Sequence, residues 1–97
     1  MALAGIQAAL AAHKSALKRT FHVTKIGVFG SARHSRQTAA SDIDLLVTFA
    51  PGHKDLFNYI RCRDYLENLL GAAVDLVPAG GIKPRLKSRI LKDVIYI

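Results

Sequence analysis

The chain has 97 residues, 51% hydrophobic and 22% charged, with a net charge of +7 from 14 basic and 7 acidic side chains. That length holds one core, burying roughly 60–65% of the unfolded surface, and leaves no room for a second substrate domain. Its one cysteine, Cys62, excludes an internal disulfide and a Cys-based zinc cage. No apolar run approaches the ~20 residues of a membrane span. The alanine-rich start lacks the positive-then-apolar order of a secretory leader. The expectation is one cytoplasmic domain over residues 1–97.

In chain order, Leu3, Ile6, Leu10 and Leu17 are spaced as one face of a helix, which predicts an amphipathic helix over 3–19. Residues 21–24 turn into a strand over 25–29 that stops at Gly30-Ser31. A short helix is expected over 31–37, with Ser31 near its N-cap, and a loop of small residues over 38–41. The apolar run Ile43–Phe49 predicts a second strand, closed by the turn signal Ala50-Pro51-Gly52. A helix over 54–70 follows, with Leu56, Tyr59, Ile60, Leu66, Leu69 and Leu70 on its inner face and Gly71 placed to end it. A third strand spans 73–77, halted by Pro78 and Gly80-Gly81. A last helix runs from 83 or 84 to 92, with Pro84 tolerated in its first turn. The apolar tail 94–97 reads as a short strand or a docked end. This order gives an α/β or α+β fold, with helices packed on a small sheet.

Three places carry chemistry. Gly30 lets backbone approach a ligand with no side chain between. The amides that open the next helix, the Ser31 hydroxyl, and Arg33 or Arg36 would favour an anion such as phosphate. The turn is neither a Walker A loop nor a dinucleotide fingerprint. Asp42 and Asp44 stand two apart at the head of a strand, so they project to one face. Two carboxylates on one face repel unless a cation lies between them, and Mg2+ is commonly held by one or two carboxylates plus substrate phosphates. Asp is disfavoured inside strands, yet Asp75 also sits in a short apolar strand. Paired beside Ile43–Phe49, it would join the other two. Three carboxylates could hold two ions.

Other polar residues say less. His13, His22, His34 and His53 are scattered without metal spacing. Cys62 suits a core or boundary position on its helix, and Tyr96 reads as a core anchor in preference to a self-modification target. Lys83, Arg85, Lys87, Arg89 and Lys92 make the last helix basic. That face is solvated, or it meets an acidic partner, RNA or nucleotide phosphates. The lack of interleaved aromatics disfavours single-strand RNA binding.

The combination is more specific than its parts. The order strand, Gly-Ser, loop, Asp-x-Asp at a strand head and a later Asp inside a strand resembles the nucleotidyltransferase superfamily of DNA polymerase beta. The phrases Val-Phe-Gly-Ser, Ser-Asp-Ile-Asp-Leu-Leu-Val, Val-Asp-Leu-Val and Arg-Ile-Leu-Lys-Asp-Val-Ile-Tyr look like its minimal members, over residues 26–97. The resemblance implies a small mixed β-sheet flanked by helices. It implies that Gly30 and Ser31, helped by Arg33 or Arg36, contact the triphosphate. It implies that Asp42, Asp44 and Asp75 are the catalytic, metal-binding carboxylates. The reaction would be Mg2+-dependent transfer of AMP from ATP to a hydroxyl. Minimal members are commonly antitoxins that adenylylate a tyrosine of a HEPN toxin, so such a toxin is the expected partner. Many relatives continue Gly-Ser-x-Ala-Arg-Gly, whereas His34 and Ser35 stand here at the last two places. That departure keeps a second reading open, a domain of this fold that neutralises its partner by contact alone.

Overall fold

The computed structural model describes residues 2–34 and 42–97. The first helical stretch is two helices, α1 (Leu3–Ala12) and α2 (Lys14–Phe21), rather than the single helix expected from the apolar spacing. The break falls at His13, whose amide is shared between the carbonyls of Ala9 and Leu10. Its Nδ1 lies 2.5 Å from the Tyr65 hydroxyl. Splitting the helix lets Ile6 and Leu10 of α1 and Leu17 and Phe21 of α2 all bury in one core.

His22, left-handed at φ 60°, ends α2, so strand β1 (Val23–Phe29) starts two residues before the expected position. It is followed directly by the single-turn helix α3 (Gly30–Arg33). Strand β2 is Ile43–Phe49, as its apolar run predicts. Helix α4 (Leu56–Leu70) is capped by Asp55, whose carboxylate accepts the Asn58 amide at 3.1 Å, and ends at Gly71 with φ 67°. Only glycine adopts that left-handed conformation without cost. Strand β3 (Val74–Pro78) runs through the proline into a 3₁₀ turn, Ala79–Gly81. Helix α5 (Pro84–Asp93) opens on its proline, and β4 (Ile95–Tyr96) resolves the tail as a short strand.

The sheet order is β3-β2-β1-β4. β1 is antiparallel to β2 and β4, and β2 is parallel to β3. This is a mixed α+β sheet, as the sequence implied. Ile43, Leu45, Val47 and Phe49 alternate along β2, join Val74 and Leu76 of β3, and bury against α1, α2 and α4. Cys62, Leu66 and Leu70 supply the inner face of α4. Leu56 is a correction. It is 68% exposed rather than on the inner face, because the first turn of α4 overhangs the end of β2 and borders an open cleft of about 520 Å³. The register of β3 is pinned at its start. The Glu67 carboxylate accepts the Val74 amide at 2.9 Å, and the Ala73 carbonyl accepts the Ile43 amide at 2.9 Å.

Candidate active site

The second face of β2, away from the core, carries Asp44. The parallel register places Asp44 directly opposite Asp75 of β3, and the antiparallel register places it opposite Phe29 of β1. Asp44 and Asp75 are close enough for their side chains to hydrogen-bond. Such a bond needs one of the two carboxyls to be protonated. Burial, the Asp75 charge and that hydrogen bond, with a smaller push from Asp42, raise the Asp44 carboxyl to about 6. The Ser31 amide, donating to it, pulls the other way. Asp42 is exposed at the head of β2.

Among the described residues, no three His, Cys, Asp or Glu side chains are drawn around one point that would hold a metal. Asp44 and Asp75 meet through the strand register, while Asp42 acts on Asp44 by charge from further off. The donors are all carboxylate oxygens on a face where like charges crowd, which fits a hard, oxygen-seeking cation such as Mg2+.

The Gly30-Ser31 turn presses against this pair. Gly30 has φ +70°, and a Cβ there would run into the Asp44 carboxylate, 3.0 Å from its Cγ. Position 30 must be glycine twice over, for conformation and for space. Ser31 is not the helix cap that its sequence position suggested. Phe29 is the N-cap residue and makes no side-chain cap bond. The opening amides of α3 are also engaged within the protein. Gly30 donates to Asp93 Oδ2 at 2.8 Å, and Ser31 donates to Asp44. What the turn offers a ligand is the Ser31 side chain, which lines a cleft of about 670 Å³. Phe29, Gly30, Ser31 and His34 form one wall of that cleft. Leu86, Arg89 and Lys92 of α5 lie on the other. Arg33 turns its Nε to the Asp93 carbonyl at 3.2 Å. Arg36 lies outside the described residues, as do Ser35 and the rest of 35–41.

Sequence reasoning missed Asp93. Its one signal was being the lone acid at the end of a basic helix, where a carboxylate faces the negative pole of the helix dipole. In the fold it reaches the first residue of α3 through Gly30 and pairs with His34 beyond the last. The basic residues of α5 are exposed. Cys62 is fully buried, with its thiol pushed up to about 12 by burial.

Comparison with known proteins matches residues 10–97 to the nucleotidyltransferase domain family. The protein adenylyltransferase MntA of Thermococcus cleftensis is 38% identical over 97 residues, covering 100% of this chain and 97% of that one. A solved structure described as a minimal nucleotidyltransferase superposes with a TM-score of 0.84 at 36% identity, covering 98% of this chain and 95% of the other. The fold also recurs, at a TM-score of 0.66 and 22% identity, in a solved complex of a tri-AMPylated Shewanella oneidensis HEPN toxin with an MNT antitoxin. That match covers 94% of this chain and 70% of its counterpart. With Gly-Ser packed on Asp44 and Asp44 facing Asp75, the chain belongs to the nucleotidyltransferase domain family, in its minimal form.

Proposed function

We propose that this single domain is a cytoplasmic protein adenylyltransferase of antitoxin type. It moves AMP from ATP to a tyrosine hydroxyl of a HEPN toxin and so neutralises it. The observation that carries this reading is the facing pair Asp44 and Asp75 with the Gly30-Ser31 turn packed against it. The relatives named for adenylylation and for a HEPN complex support it. Asp42, Asp44 and Asp75 would hold Mg2+, most simply two ions. Bound Mg2+ supplies charge neutralisation on the triphosphate and lowers the pKa of the attacking hydroxyl.

This chain's residues do the rest. Ser31 contacts the phosphates through its hydroxyl, with Gly30 allowing close approach. Arg33 and Arg36 add positive charge, and the basic rim of α5 draws in the polyanion. The acceptor oxygen forms a bond to the α-phosphorus as the bond from that phosphorus to the bridging oxygen breaks. Pyrophosphate leaves with the electron pair. The acceptor proton passes to a carboxylate, for which Asp75 is the candidate. The product is a tyrosyl-AMP phosphodiester.

The test is the intact mass of a partner co-purified from the native host, with wild type and with Asp42→Asn/Asp44→Asn. Added mass of one or more AMP groups with wild type alone is the expected result. A second reading has its own support, since the opening amides of α3 are engaged internally and His34 is tied to Asp93. On that reading the domain inhibits by contact, and the partner comes down unmodified with both proteins.

A further inference from the structure

Asp93 stands where its own helix disfavours it. It is the last residue of α5, so its negative charge lies at the negative end of the helix dipole. Nothing within α5 compensates for that placement. The compensation comes from α3. The Gly30 amide donates to Oδ2 at 2.8 Å, His34 Nε2 pairs with Oδ1, and Arg33 Nε donates to the Asp93 carbonyl at 3.2 Å. A helix of four residues does not hold itself, and here one residue of a distant element grips it at both ends. From the other side Asp44 takes the Ser31 amide. Two successive amides, Gly30 and Ser31, are thus bound by two carboxylates from different elements.

We propose that Asp93 is a positioning residue, which clamps the Gly30–His34 turn against Asp44 and so sets where the Ser31 hydroxyl meets the nucleotide phosphates. The consequence for nucleotide rests on the function proposed above, whereas the clamp itself does not. The clamp also gives a role to His34, which pairs with Asp93 Oδ1. Its ring braces the turn through Asp93.

The experiment compares wild type with Asp93→Ala, Asp93→Asn and Asp93→Glu. Two readouts are taken, the Gly30 amide by 15N–1H NMR and the dissociation constant for Mg2+ with a non-hydrolysable ATP analogue. Val94→Ala, beside Asp93 but outside the turn, serves as a control of lowered thermal stability. A bond to a charged acceptor holds the Gly30 amide downfield. Asp93→Ala should move that signal upfield and weaken analogue binding about tenfold, the loss of one such bond. Asp93→Glu should recover part of both effects, and Val94→Ala should change neither. An unmoved Gly30 amide in Asp93→Ala would overturn the clamp. A moved amide with binding within about twofold of wild type would overturn its role in positioning Ser31. If wild type itself binds no analogue, the nucleotide reading falls and the positioning of Ser31 for phosphate falls with it. The Gly30 amide then judges the clamp by itself.

Discussion

Asp44 and Asp75 occupy the same register position of two parallel strands, so their carboxylates face each other across one strand spacing. Burial first, and then the Asp75 charge and hydrogen bond, raise the Asp44 carboxyl from 3.8 to about 6, so without a cation the pair tends to hold a proton. A divalent cation bound by the pair would have to displace that proton. Mg2+ affinity should therefore climb with pH through about 6 and level off above it. Titration calorimetry at several pH values checks this, and a flat profile from pH 5 to 8 would contradict it.

The same carboxyl predicts the sign of a stability effect. Its folded pKa is above its unfolded one, so the native state holds an extra proton between about 3.8 and 6. Metal-free stability from this group declines as pH rises across that window. Asp93 acts in the opposite sense. Its carboxyl is held low by the Gly30 amide first and by His34, so its contribution is present above the usual carboxylate pKa and is lost as pH falls through the folded value. Asp44→Asn should remove the decline and raise the metal-free Tm at pH 7.5, while cutting transfer by about 100-fold or more. Melting curves across pH, with and without Mg2+, separate the two carboxyls.

Gly30→Ala meets two obstacles, a left-handed backbone and the Asp44 carboxylate. We expect a loss of about 1–3 kcal/mol, read as a fall in Tm of roughly 4–8 °C per kcal/mol in a domain of this size. Gly30→Ala/Asp44→Ala should recover the steric part and keep the conformational part. A double-mutant cycle measures the difference.

Arg89 stands on the α5 side of the cleft, facing the Gly30-Ser31 turn. Arg89→Glu should weaken ATP binding severalfold in low salt and less in high salt, since exposed charges are screened over about 8–10 Å. Fluorescent-nucleotide titrations at two ionic strengths would show it. Equal losses at both would point to packing rather than charge.

Cys62 is fully buried, with its thiol at about 12. Thiolate is the reactive form, so a thiol reagent at pH 8 should leave the native protein unlabelled and label it fully in denaturant. Rapid native labelling would mean that α4 opens readily.

Much of the sheet was legible because its strands carry short, mostly apolar runs bounded by turn residues. Ile43–Phe49 was bounded correctly, and Gly71 ended its helix as expected, since both signals are local. The opposition of Asp44 and Asp75 followed once the two strands were taken as neighbours. The break at His13 was hidden because Leu10 and Leu17 stay in phase across it, and the anchor, Tyr65, lies 52 residues away. Ser31 looked like a cap because capping is judged from sequence position, whereas the amides of α3 are taken by Asp44 and Asp93 from other elements. Leu56 fits the helical spacing, but spacing does not reveal where the sheet beneath ends.

The short bridge between Gly71 and Val74 has a consequence of its own. Gly71 closes α4, the Glu67 carboxylate holds the Val74 amide, and Ala73 holds Ile43. These contacts leave no slack between the helix and β3. Side chains alternate faces along a strand, so one added or deleted residue here would turn Asp75 to the opposite face of the sheet. The number of residues between helix and strand is therefore a component of the site in its own right, as intolerant of change as the aspartate it aligns.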